Sequence, residues 1–271
     1  MNSFHQIMTE LTVPATFYFI RHGESEGNVA GKMQGHRNHP LTDLGREQAL
    51  ATGRWFAETE VRIDRVFTSP LDRATESATI LTEAAGFPAP EPLPAAKELH
   101  TGLFTGLSFP EIKDQYPTEY AEFIVGSWEA VPEAESVRSL TARALETWQS
   151  VVTAANEAGA DGPSIRGDSP SREPYRAAVM TVTHGGMLQW IFKASFGATP
   201  DEAHPWMPLV LASNCSVFEF SARPVTSTDR HGKPLRWYYG QWSRVNFTPA
   251  DPSSPGSIAR EQFHTGGDQA R

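Results

Sequence analysis

The chain has 271 residues, 39% of them hydrophobic and 20% charged, the profile of a soluble globular protein with enough length for a sizeable core. Its net charge of −9 leaves no overall basic field for nucleic acid, and its one cysteine, Cys215, excludes an intramolecular disulfide framework or a multi-cysteine metal site. No apolar run approaches the roughly twenty residues of a membrane span, and the opening residues lack the apolar core of a signal peptide, so the expectation is a cytoplasmic protein that contacts neither membrane nor nucleic acid.

Residues 1–15 read as a loose leader ending at Pro14. Residues 16–20, aromatic and β-branched, predict a buried strand. Apolarity stops at Arg21-His22-Gly23, the pattern of a strand that delivers reactive side chains to its carboxyl edge, where open α/β sheets bind ligands. Asn28, a little further on, can cap a helix or bond to whatever sits there. Residues 30–40 are irregular. His36 and His39 have a spacing that a metal could use, but Pro40 and the glycines predict a loop, and no third ligand lies nearby. Thr42 is the expected N-cap of a helix reaching about residue 60, with Leu44, Ala51 and Trp55 on one face.

Residues 65–69 read as a second strand, followed by a helix with Ser69 as N-cap and Pro70 as its first residue, ending at Gly86. That places Arg73 just beyond a strand end. Residues 95–99 are expected to form a third strand ending near Glu98, and residues 100–135 a cap containing short helices at 109–115 and 117–125. A long helix begins at Glu135 or Ser136 and carries Val137, Leu140, Ala144, Leu145 and Trp148 at helical spacing. Residues 159–176 have the composition of a mobile insertion. Residues 177–183 are expected to form a fully buried strand that ends at His184-Gly185-Gly186, with a helix from residue 187 to about 195. Residues 213–220 and 236–242 read as antiparallel edge strands; the one near Tyr238 could pair with a second copy to make a homodimer. The tail from 249 to 271 has the composition of disorder.

Strand edges thus offer Arg21, His22, Arg73, His184 and Glu98. Two guanidiniums, two imidazoles and one carboxylate are a poor metal set and a good phosphoryl set. Guanidinium forks match phosphate oxygens and disperse their charge, a neutral imidazole is a competent nucleophile, and a carboxylic acid can protonate a leaving oxygen. The alternative is that these are separate polar groups at strand ends that never meet.

The segment Arg21-His22-Gly23-Glu24-Ser25, with Asn28, resembles the signature of the histidine phosphatase superfamily in its phosphoglycerate-mutase-like branch. The likeness continues through Pro40-Leu41-Thr42-Asp43-Leu44-Gly45, Ser69-Pro70-Leu71-Asp72-Arg73-Ala74, Glu98 with Gly102 and Gly106, and Val182-Thr183-His184-Gly185-Gly186, in family order over residues 16–222. The resemblance implies an α/β fold, a three-layer α/β/α sandwich with a mostly parallel central sheet, in one domain over 16–248. It implies a phosphohistidine mechanism with His22 as nucleophile, with Arg21, Arg73 and His184 holding the phosphoryl group. Glu98 would be proton donor and then base, and Asn28 and Gln34 secondary contacts, with no metal or other cofactor. Two departures stand out: Thr105 precedes Gly106 where the family often has Glu, and residues 114–136 lack the paired arginines and proline-rich run of the glycolytic mutases. That segment is closer to the cap of the broad-range phosphatases. The expected activity is therefore hydrolysis of a small-molecule phosphomonoester. Mutase-type transfer to a second hydroxyl is the nearest rival, and a phospho-ligand binding module with little catalysis is the rival of a different kind. The cap residues Phe104, Phe109, Tyr116, Tyr120, Phe123 and Trp128 favour a substrate with apolar or ring surface.

Overall fold

The alternation of side chains along the first strand, β1 (Ala15–Arg21), divides the core in two. Phe17 and Phe19 join one buried cluster with Trp148, Val151, Met187 and Ile191, whereas Tyr18 and Ile20 join another with Phe56, Ala74, Ala78 and Leu81. The computed structural model describes residues 2–59, 61–161, 175–201 and 210–249. In chain order the helices are α1 (Phe4–Thr9), α2 (Glu26–Val29), α3 (Asp43–Glu58), α4 (Asp72–Ala85), α5 (Phe109–Gln115), α6 (Pro117–Ile124), α7 (Val137–Asp161) and α8 (Gly185–Ala194). The strands after β1 are β2 (Arg65–Thr68), β3 (Glu91–Pro92), β4 (Ala177–Thr183), β5 (Val217–Thr228) and β6 (Pro234–Phe247).

The six strands form one sheet in the order β3-β2-β4-β1-β5-β6. The pairs from β3 to β1 are parallel, and β5 and β6 close the edge antiparallel. Helices α3 and α4 supply the core on one face; α1, α7 and α8 supply it on the other. This is the expected α/β/α sandwich. Trp148 sits at the centre of the second face, with its ring against Phe4, Phe17, Phe19 and Phe220 and its indole N–H donating to the Ile191 carbonyl at 2.9 Å.

Register places the site. Arg21 lies opposite Thr183, and Thr68 opposite Val182, so the three parallel strands end almost level. The next residues, His22, His184 and Ser69, therefore emerge side by side at the carboxyl edge.

Several expected boundaries change. Residues 2–15 are not loose: Ser3 and Gln6 form a capping box for α1, which buries Phe4, Ile7, Met8 and, just beyond it, Leu11. That apolar spacing is helical and welds the segment to α7. The strand expected at 95–99 is absent; the strand is the short β3, and Pro94–Ala96 is a single 3₁₀ turn in which proline presets φ. Helix α4 begins two residues later than expected, with Leu71 in the N-cap position, because the Ser69 hydroxyl accepts from the Leu71 N–H and meets His184. The edge strands β5 and β6 are longer than their apolar pattern suggested, since their outer halves form an exposed hairpin. Helix α7 takes up the start of the expected 159–176 insertion; residues 162–174, and the tail from 250, lie outside the described residues.

Candidate active site

At the end of β1 the chain turns at Gly23, where a side chain would collide with the Gly45 carbonyl; one on Gly45 would collide with the Glu24 carbonyl. Two glycines thus let the first turn of α3, capped by Thr42 through the Gly45 N–H at 3.0 Å, press against the strand end. The Ser77 hydroxyl on α4 accepts from the Gly23 N–H at 2.9 Å.

His22 is 1% exposed. Its Nδ1–H donates to the Gly23 carbonyl at 2.6 Å, which leaves Nε2 with a free lone pair that accepts from Arg73 Nε at 3.3 Å. Burial, and then the charges of Arg21 and Arg73, hold the ring well below the usual histidine range, so it is neutral at physiological pH. The backbone carbonyl of His22 is gripped by Cys215 N–H and by the Asn214 side-chain amide.

Arg73 is fully buried, and its terminal nitrogens donate to the carbonyls of Arg37 at 2.8 Å and Gly35 at 2.9 Å. It is a fixed charge behind His22, not the free fork that the sequence suggested. Arg21 differs: one terminal nitrogen donates to the Ala212 carbonyl at 2.6 Å, and its buried Nε has no partner among the described residues. Gly185 stands against this guanidinium; a Cβ there would lie 3.3 Å from Nε. His184 is fully buried with its ring 5.1 Å from that of His22. Its Nε2 pairs with the Ser69 hydroxyl at 2.7 Å, while Nδ1 has no protein partner among the described residues. Burial and the Arg73 charge keep it, too, well below the usual range.

Glu98 reaches the same edge from a loop instead of a strand end. Its Oε1 accepts from Leu99 N–H at 3.0 Å and Met187 N–H at 3.1 Å, and Oε2, among the described residues, only from Gly186 N–H at 3.3 Å. The carboxylate therefore sits on the first turn of α8, where the N–H groups of a helix start favour an anion. Gly186 makes room, since a Cβ there would lie 2.6 Å from Oε1. The Glu98 carbonyl accepts from His36 Nε2 at 2.7 Å and from Arg143 at 3.3 Å.

Asn28 and Gln34 both face the cavity, but their oxygens are committed inward. Asn28 Oδ1 accepts from Ser25 and from the Asn214 amide, and Gln34 Oε1 accepts from the Ser25 hydroxyl. The cavity, of about 500 Å³, runs from His22, Arg21 and Glu98 to the aromatic cap. Ser77, Asn214, Gln189 and Arg143 escaped the sequence reading, which gave Ser69 only the role of a helix N-cap. Each is an ordinary residue type whose importance comes from a partner distant in the chain, with no local signal.

A neutral, tautomer-fixed imidazole between two guanidiniums at the carboxyl edge of a parallel sheet defines a pocket for a phosphoryl-sized anion. The comparisons agree. The chain belongs to the histidine phosphatase superfamily, branch 1, whose family model matches residues 17–226. It is 34% identical over 131 residues to a 2,3-bisphosphoglycerate-dependent phosphoglycerate mutase of Bartonella tribocorum, a match covering 47% of this chain and 64% of the mutase's own length. It is 27% identical over 229 residues to a glucosyl-3-phosphoglycerate phosphatase of Mycolicibacterium vanbaalenii, covering 83% of this chain and 92% of that one. The native structure of a mycobacterial glucosyl-3-phosphoglycerate phosphatase superposes with a TM-score of 0.60 at 22% identity, over 86% of this chain and 99% of that one, a likeness of fold.

Proposed function

We propose that this chain is a metal-independent phosphomonoesterase that works through a phosphohistidine on His22. The observation that carries the reading is the fixed tautomer of His22: Nδ1–H is spent on Gly23, and Nε2 is left as a buried, neutral nucleophile beside a permanent positive charge. In the first step Nε2 attacks phosphorus, the bond from phosphorus to the ester oxygen breaks, and Glu98 gives that oxygen its proton. In the second step water attacks phospho-His22, Glu98 takes the water's proton, and phosphate leaves with His22 restored. Glu98 Oε2 is the less engaged carboxylate oxygen and is assigned the proton.

Arg21 Nε and His184 Nδ1, two buried atoms without hydrogen-bond partners among the described residues, are assigned to the phosphoryl oxygens, with Asn28 and Gln34 at the rim. Arg73 supplies a charge that needs no rearrangement. The arginines thus do the electrostatic work that a metal would do elsewhere, and among the described residues no three His, Cys, Asp or Glu side chains gather as a ligand set. The reading includes a cytoplasmic location; no helix among the described residues is long and apolar enough to cross a membrane. It also includes a homodimer through the free edge of β6, which sedimentation would test.

The test is phosphate release from a panel of phosphomonoesters with chelator present. Release that disappears in His22→Ala, with a labelled phosphohistidine trapped in the parent, is the expected result. Isomerisation of a phosphoglycerate without net release would make the protein a mutase, and neither activity would leave a binding module.

A further inference from the structure

The cavity beyond His22 has one wall built of apolar and aromatic side chains. Leu99, Phe109, Phe123, Trp128, Val210 and Leu211 line it, and Phe109 lies stacked on Phe123 with ring centroids 6.2 Å apart and planes 21° from parallel. Its charged side chains among the described residues are Arg21, Lys32 and Glu98. Arg21 is assigned to the transferred phosphoryl group. Lys32 is committed to Glu111 on the cap helix α5, Nζ to Oε2 at 2.6 Å. Glu111 also accepts from the Ser108 N–H and hydroxyl, and Lys32 with Ser108 pulls its carboxyl down to about 2, so the pair stays ionised and matched across physiological pH.

Resting on the phosphatase reading above, we propose that the preferred substrate is a phosphomonoester with a bulky, uncharged leaving group, a ring or branched hydrocarbon that carries no carboxylate and no second phosphate. A carboxylate on the leaving group would be stripped of water against aromatic walls that offer, among the described residues, no spare cation. A ring would gain from the same walls. Gln189, on α8, lines the cavity too, and its Oε1 has no hydrogen-bond partner among the described residues; it is the acceptor for a neutral hydroxyl on such a leaving group.

The test compares three alkyl esters with similar leaving oxygens: 2-phenylethyl phosphate, 3-phosphoglycerate and phosphoserine. We expect kcat/KM for the phenylethyl ester to exceed the other two by about a hundredfold, the scale of discrimination between a buried ring and an unpaired buried charge. Phe109 is half exposed, so Phe109→Ala should fold; it should lower kcat/KM for the phenylethyl ester by about tenfold and for 3-phosphoglycerate by less than about twofold. Leu211→Lys, which adds an unpaired cation to the rim, should raise kcat/KM for 3-phosphoglycerate by about tenfold. A parent enzyme that releases phosphate but favours or does not distinguish the carboxylated esters overturns this inference alone. An equal loss on all three esters in Phe109→Ala also overturns it. Release from none of the three overturns the phosphatase reading and this inference with it.

Discussion

Glu98 arrives at the site on a loop, and one side chain from α7 pins that loop. Arg143 donates to the carbonyls of Ala95 at 2.9 Å, Lys97 at 2.8 Å and Glu98 at 3.3 Å, and forks onto Glu135 at 2.8 and 2.6 Å. Both side chains are largely buried, 17% and 13% exposed. Burial pushes the Glu135 carboxyl up, but the Arg143 and Ser139 hydrogen bonds outweigh it and hold the group below its usual range. Arg143→Ala would leave that carboxylate uncompensated and the carbonyls of Ala95 and Lys97 unpaired, while the Glu98 carbonyl keeps its bond from His36 Nε2. Breaking a buried pair from one side costs about 3–5 kcal/mol. For a protein of this size that is roughly 10 °C in Tm.

Stability loss alone would not show that Arg143 positions the acid. The double substitution Arg143→Met with Glu135→Leu removes the unpaired charge and should restore stability to within about 2 kcal/mol of the parent. It leaves the carbonyls of Ala95 and Lys97 unpinned and that of Glu98 held by His36 alone. A displacement of the carboxyl by an ångström costs about a hundredfold in rate. That cost should fall on poor leaving groups, which need the proton, and should spare nitrophenyl esters, which do not. The assay is therefore a plot of log kcat against leaving-group pKa: shallow in the parent, steep in the double variant, with intermediate behaviour in Arg143→Lys. A double variant that is stable and keeps the parent's slope would refute the positioning role and leave Arg143 as a structural residue only.

Two further outcomes follow from the same geometry. Gly45→Ala forces a backbone collision with Glu24, next to the turn that carries His22, and should cost about 1–3 kcal/mol in chemical denaturation together with a drop in kcat; an unchanged midpoint contradicts the packing described. Because His22 and His184 are held well below their ordinary pKa, the unfolded chain takes up protons below about pH 6.5 that the folded chain refuses, so stability falls as pH drops through that range, by up to about 1.4 kcal/mol per pH unit for each group; denaturation at pH 7.5 and 5.5 should show a shallower loss in His184→Asn, and an equal loss would mean that this ring titrates normally.

The sequence was most informative where a structural transition and a chemical one coincide. At Ile20-Arg21 and Thr183-His184 an apolar strand breaks into polar residues, and parallel register turns those two breaks into one site. Arg73 was placed correctly through the turn after β2. Glu98 was assigned to the site on a wrong structural ground. The proline at every second residue masked a two-residue strand, and the acid is delivered by a 3₁₀ turn whose Ala96 carbonyl is anchored by the Thr183 hydroxyl at 2.6 Å. The leader failed for a different reason. Phe4, Ile7, Met8 and Leu11 have helical spacing, but a helix of six residues has little stability of its own and exists here because Trp148 and its neighbours cover it.

The division of labour between the two arginines was not legible at all, because it depends on what their donors already hold. Arg73 is anchored on two backbone carbonyls and touches His22 Nε2, a fixed charge beside that ring. Arg21 has one recorded anchor and an unspent Nε, with Gly185 against it leaving the approach clear. Under the proposed mechanism, a phosphoryl group moving from an ester oxygen to His22 needs both kinds of partner. The fixed charge keeps the imidazole neutral and poised without reorganisation, and the less constrained guanidinium can follow the oxygens as they flatten and invert. Under the proposed mechanism, shortening Arg21 should therefore weaken binding of the transition state more than that of the free phosphomonoester, whereas shortening Arg73 should also disturb the loop at Gly35–Arg37 and, through His36, the carbonyl of Glu98.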